Sequence, residues 1–97
     1  MRQQIFKDAW YYLKHGIVSD FSTALRLAWI RFKFTEWLRK GAKQFKYIRK
    51  SDRTVRSAFG TIYDTNFNDR PNIFTYWDLD KNGIRSFDLR FLLPFQS

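Results

Sequence analysis

Asp20 to Gly41, DFSTALRLAWIRFKFTEWLRKG, carries the strongest periodic signal in the chain and decides how the rest is read. Spacings of three and four set Phe21, Ala24, Leu25, Ala28 and Phe32 on one side of a helix of about five turns. Leu27, Ile30, Phe34, Trp37 and Leu38 fall roughly opposite, and Arg26, Lys33 and Lys40, seven apart, form a basic stripe between them. A surface helix needs one apolar face. This one has two, so a neighbouring helix, the following domain or a partner must cover each.

Upstream, Ile5 to Lys14 reads as a first helix, with Ile5/Phe6, Ala9/Trp10 and Leu13 inward and Lys7, Tyr11 and Lys14 on the far side. Gly16 stands where a left-handed C-cap belongs, and Ile17 is placed to close it. Asp20 or Ser19 caps the long helix. So short a link lays the two helices side by side and antiparallel, with Trp10, Leu13 and Ile17 against Leu25, Ala28 and Trp29. Arg39 and Lys40 suit the negative end of the helix dipole, and Gly41 ends it.

Downstream the period changes to two. Gln44 to Lys50, Thr54 to Tyr63, Ile73 to Trp77 and Ile84 to Phe87 read as strands, and Leu89 to Phe95 as a closing turn and a last short strand. Gly60 suggests a bulge or sharp bend. Asp64 to Pro71 is a polar loop, and the turn at Asp80 to Gly83 takes its positive φ from Gly83. Five short strands fit a small barrel, which leaves few edges. The expectation is an α+β fold: a two-helix N-terminal arm over residues 1–41 packed on a five-stranded SH3-like β-barrel over residues 42–97.

Residues 45–93 resemble the SH3-like β-barrel proteins of phage and prophage regions, relatives of the WYL-type barrel. The matching residues are Phe45 and Tyr47, Lys50 and Asp52, Arg56-x-Ala58-x-Gly60-Thr61, Tyr76-Trp77-Asp78, Gly83-x-Arg85-Ser86-Phe87, and Leu92 or Leu93. Phe21-Ser22-x-Ala24-Leu25-x-x-Ala28-Trp29 is similar to a helical segment of small phage proteins. Arg53, in place of the first-turn Gly, and Ile84, in place of an aromatic, depart from the pattern. The resemblance implies the fold, and for Arg85 a ligand contact, since WYL-type barrels are thought to recognise nucleic acid or nucleotides near this point. The residues alone favour Arg85 pairing with Asp78 or Asp88 across the hairpin, and only the resemblance carries the ligand contact.

Charge points to partners. The net charge of the 97 residues is +9, and all of it lies before Ser51, where acids are few. A one-sided field of this kind favours nucleic acid, an acidic protein surface or anionic lipid. Aromatic residues make up 21% of the chain, enough to build a core from few residues. Without cysteine, and with His15 as the lone histidine, thiol chemistry is excluded and a zinc site is not expected. Asp78-x-Asp80-x-Asn82-Gly83 imitates half of a calcium loop, but its twelfth position is Leu89 and its flanks are strands, so a hairpin turn is the reading. Ser57 and Ser86 lack a base, and no glycine-rich phosphate cradle occurs. The chain is read as a non-enzyme without metal or cofactor. No signal peptide or membrane span is read, and the expected location is the cytoplasm of a bacterial host.

The best functional candidate is the basic stretch from residue 31 to residue 50. Arg31, Lys33, Arg39, Lys40, Lys43, Lys46, Arg49 and Lys50 face the single acid Glu36, with Trp37 and Tyr47 interleaved. Cations neutralise phosphates, and aromatic faces stack on unpaired bases. With Arg85, these residues form the expected site. The expected partner is RNA or a host RNA–protein complex, most concretely an RNA-guided nuclease of the CRISPR type that a phage accessory protein inhibits. The alternative is a phage assembly protein that forms a homodimer or larger oligomer through the exposed helix face, and a peripheral lipid surface ranks third.

Overall fold

The computed structural model describes residues 2–63 and 72–95. Helix α1 spans Arg2–Lys14 and α2 spans Phe21–Arg39. Strands β1 (Lys43–Ile48), β2 (Val55–Ile62), β3 (Ile73–Asp78) and β4 (Gly83–Asp88) follow, then a 3₁₀ turn at Leu89–Phe91. The fold is α+β. The polar loop read at Asp64 to Pro71 lies outside the described residues.

The helix boundaries follow their caps. Gly16 has φ +69, and the Ile17 and Gly16 N–H groups donate to the Tyr12 and Leu13 carbonyls at 2.9 and 3.2 Å, which completes a Schellman motif. The Asp20 carboxylate accepts the Thr23 N–H at 2.6 Å and starts α2. The buried face of α1 agrees with the expectation at Ile5 and Ala9 and departs from it elsewhere: Asp8 and Tyr12 are buried, whereas Phe6 and Trp10 are exposed. Tyr12 can go inside because its hydroxyl is satisfied beside Arg31. Helix α2 packs against α1 on one side and against β2 and the 3₁₀ turn on the other, which leaves the edge of Phe21, Leu25 and Trp29 partly exposed.

The strands form one antiparallel sheet in the order β1-β2-β3-β4. The first hairpin turns at Arg53, with φ +61, and the last at Asn82, with φ +52. Asn82, not Gly83, takes the left-handed position, and Gly83 is the first ladder residue, opposite Asp78. Gly60 forms no bulge. It sits in register between Lys43 and Asp78, where a Cβ would lie 2.6 Å from Tyr76 Cδ2 and 3.0 Å from the Trp77 carbonyl oxygen.

The expected five-stranded closed barrel is corrected to an open sheet of four strands. After β4, the Asp88 carboxylate accepts the Arg90 N–H at 2.9 Å and turns the chain into the 3₁₀ segment instead of a strand. The return to β1 is a single bridge, Leu92 to Tyr47, with the Leu93 N–H donating to Lys46 O at 3.0 Å. Pro94 has no N–H with which to extend it.

Helix α2 fills the space that a full fifth strand would have closed. The Phe34 ring, fully buried, lies 4.9 Å from Phe74, 5.0 Å from Phe45, 5.1 Å from Phe95 and 5.9 Å from Phe87 between ring centroids. Leu38 is buried with it. Helices and sheet therefore share one core.

Candidate nucleic-acid interface

Directly paired residues of an antiparallel sheet share a face. Tyr47 stands opposite Arg56, and Tyr76 opposite Arg85. The same inward face carries Ala58, Gly60, Phe74, Asp78 and Phe87. This face divides in two. Phe34 covers the aromatic end, while Arg56, Asp78 and Arg85 gather around the Tyr47 and Tyr76 hydroxyls at the other. Those hydroxyls lie 3.1 Å apart.

A cleft of about 390 Å³ opens here, lined by the end of β1 and by β4, including Tyr47, Arg49, Lys50, Arg56, Arg85 and Asp88. Asp78 anchors its charges. Its Oδ2 accepts from Arg56 at 3.2 Å and lies 3.8 Å from Arg85 Nε, and its Oδ1 accepts the Lys81 N–H at 3.0 Å. Burial opposes the charge on Asp78, but the Lys81 N–H and Arg56 outweigh burial and hold the carboxyl below its usual range. Arg56 is only partly satisfied: its Nε is buried and has no hydrogen-bond partner among the described residues. A buried guanidinium N–H without an acceptor is costly, so this atom marks a place where an anion would be welcome.

Asp88 organises the other wall. Its carboxylate meets Arg90 at 2.7 Å and Lys50 at 3.0 Å, and accepts from Asn72 at 3.3 Å. Burial alone would raise this carboxyl, yet Arg90 and Lys50 hold it at about 2. Lys50, Arg53 and Arg90 also surround the half-buried Phe91 ring at 5.8, 6.0 and 5.8 Å from its centroid.

The residues expected from sequence are distributed unevenly. Arg49, Lys50 and Arg85 meet at the cleft with Tyr47. Tyr47 is buried, with its ring stacked 4.5 Å from Phe87, so it has no free face for a base. Trp37 packs 5.0 Å from Phe95 and 5.8 Å from Phe34. Arg31 is half-buried, 3.9 Å from Asp8 across the helix pair. Lys33, Arg39 and Lys40 stay on the exposed side of α2, and Lys43 and Lys46 lie along β1 away from the cleft lining. Sequence reasoning passed over Arg56, Asp78 and Tyr76 as site residues. The signal available was parity, since Arg56 alternates with Ala58 and Gly60.

Residues 32–93, nearly two thirds of the chain, match the family model WYL_2, described as an Sm-like SH3 β-barrel fold. The chain belongs to the WYL_2 family. Comparison with curated proteins and with solved structures finds no match. The WYL_2 match takes in the second half of α2, all four strands and the Leu92 bridge, so Phe34 and the cleft both fall inside it. No cluster of three or more His, Cys, Asp or Glu that could hold a metal occurs among the described residues.

Proposed function

We propose that this WYL_2 protein is a non-catalytic nucleic-acid-binding protein, with RNA as its first ligand, and that the cleft between β1 and β4 takes a backbone phosphate. The observation that carries the reading is Arg56 Nε, a permanently charged donor buried without an acceptor among the described residues, beside Arg85 and Lys50. Guanidinium groups match phosphate geometry and donate to its oxygens in fork fashion. Arg85 is 43% exposed and only loosely held by Asp78, so it can swing onto a ligand without abandoning a tight pair. The excess positive charge adds long-range attraction that is insensitive to sequence. Tyr47 is buried and Trp37 is packed against Phe34 and Phe95, and Phe91, under the cleft residue Lys50, is a half-buried ring beside the site.

In this reading the chain acts as a phage-type accessory protein on RNA or on an RNA-bearing complex of its host, an RNA-guided nuclease being the most concrete case. Backbone contacts fix position but not sequence, so specificity would come from the complex that presents the RNA. The test is a titration with single-stranded RNA followed through the arginine Nε–H resonances. Arg56 and Arg85 are expected to shift first and together. Shifts confined to Arg26 or Arg39, with Arg56 unmoved, would place the contact on α2 and end the cleft reading.

A further inference from the structure

Away from the cleft, the most exposed apolar side chains of the helix pair lack an assigned role. Phe6, Trp10 and Trp29 are 48%, 60% and 41% exposed. Phe21 joins them, 5.0 Å from Trp10 and 6.4 Å from Phe6 between ring centroids. Leu25 and Trp29 follow Phe21 at intervals of four, which carries the ridge along one face of α2. Each tryptophan is bracketed by cations three residues before and four after: Lys7 and Lys14 around Trp10, Arg26 and Lys33 around Trp29, all four exposed. Of the acids on these helices and their link, Asp8 is turned inward to Gln4 and Arg31, and Asp20 caps α2. Asp20 and Glu36 are the exposed acids here, against the four exposed cations. Phe6, Trp10, Phe21, Leu25 and Trp29 all precede the WYL_2 match, so the barrel family does not account for them.

We propose that this ridge docks peripherally on an anionic bilayer surface, with Trp10, Phe6 and Trp29 entering the headgroup boundary and the four cations meeting lipid phosphates. Exposed aromatic rings flanked by Lys and Arg are the composition of an interfacial helix. The exposed ring area is roughly 300 Å², well below the about 800 Å² per partner of a standard protein interface. A second copy would set one basic rim against another. No described helix is long and apolar enough to cross a membrane, so the contact is with the surface.

The test sediments the full chain with vesicles of phosphatidylcholine, alone or with about a third phosphatidylglycerol. The parent should pellet with the anionic vesicles only. Trp10→Ser with Trp29→Ser should weaken that binding at least about tenfold while leaving the melting curve and RNA affinity unchanged. Lys7→Gln, Lys14→Gln, Arg26→Gln and Lys33→Gln together should weaken it and reduce its salt dependence. Should the serine variant unfold, the parent's tryptophan emission still decides: it should shift to the blue on anionic vesicles, and Trp10→Phe should lose much of that shift. The proposal is overturned if the parent ignores anionic vesicles at low salt, or if the folded serine variant pellets as the parent does. It is equally overturned if the ridge drives self-association without lipid, or captures an acidic protein while vesicles go unbound.

Discussion

Phe34→Ala is the perturbation that most directly probes why α2 and the sheet form one unit. The Phe34 ring is fully buried and contacts four other phenylalanine rings from β1, β3, β4 and the C-terminal segment. Its removal forfeits the transfer free energy of the ring and leaves a cavity walled by rigid rings that cannot collapse inward. The expected cost is about 3–5 kcal/mol. A chain of this length has about 5–15 kcal/mol in total, so the melting midpoint should fall by roughly 15–30 °C. Urea titration followed at once by far-ultraviolet helix signal and near-ultraviolet aromatic signal is the assay. Both signals should move together, because helix and sheet share the ring. A loss below about 1 kcal/mol, or a helix signal that outlasts the aromatic one, would refute the shared core. By the same reasoning a fragment of residues 43–97, which lacks Phe34 and Leu38, should fail to hold its sheet.

Gly60→Ala should destabilise by about 1–3 kcal/mol, since its Cβ would press on Tyr76 and on the Trp77 carbonyl; a melting curve like the parent's would contradict the close approach. Asp88 carries a pH signature: its carboxyl is held at about 2 when folded against about 3.9 in an unfolded chain. Its stabilisation is therefore complete above that unfolded value and is lost as pH falls through the folded one. Asp88→Asn should shrink the stability difference between neutral and strongly acidic solution by on the order of 2 kcal/mol, as read by urea titration at each pH; an unchanged difference would remove Asp88 from that role.

The sequence made the helices legible through Asp20, Gly16 and the double apolar face of α2, each a local signal. On α1 two apolar stripes overlap, Ile5-Ala9-Tyr12 and Phe6-Trp10-Leu13, and hydrophobicity alone does not separate them. The choice depends on Arg31 reaching the Tyr12 hydroxyl from another helix. The last apolar run looks like a strand, and the Asp88 cap with Pro94 makes it a turn and a single bridge. Arg85 was legible as an ionic residue beside a core phenylalanine, and its link to Asp78 was one of two readings. For Arg56 only its parity with Ala58 and Gly60 was legible, because its place opposite Tyr47 follows from the strand register. Tyr47 and Trp37 looked available for stacking in a basic stretch, yet burial is a property of the assembled core.

Two charge-matched variants test directly whether the cleft, and not diffuse positive charge, carries nucleic-acid affinity. Arg49→Gln with Arg85→Gln removes two charges at the cleft, and Lys33→Gln with Lys40→Gln removes two from exposed α2. Binding of labelled single-stranded RNA is measured across a range of salt. The cleft pair should lose at least about tenfold in affinity and flatten the salt slope by roughly 0.7 for each phosphate contact removed, while the α2 pair changes little. Equal losses in the two folded variants would contradict the account, for they would mean that the chain reads only the total charge.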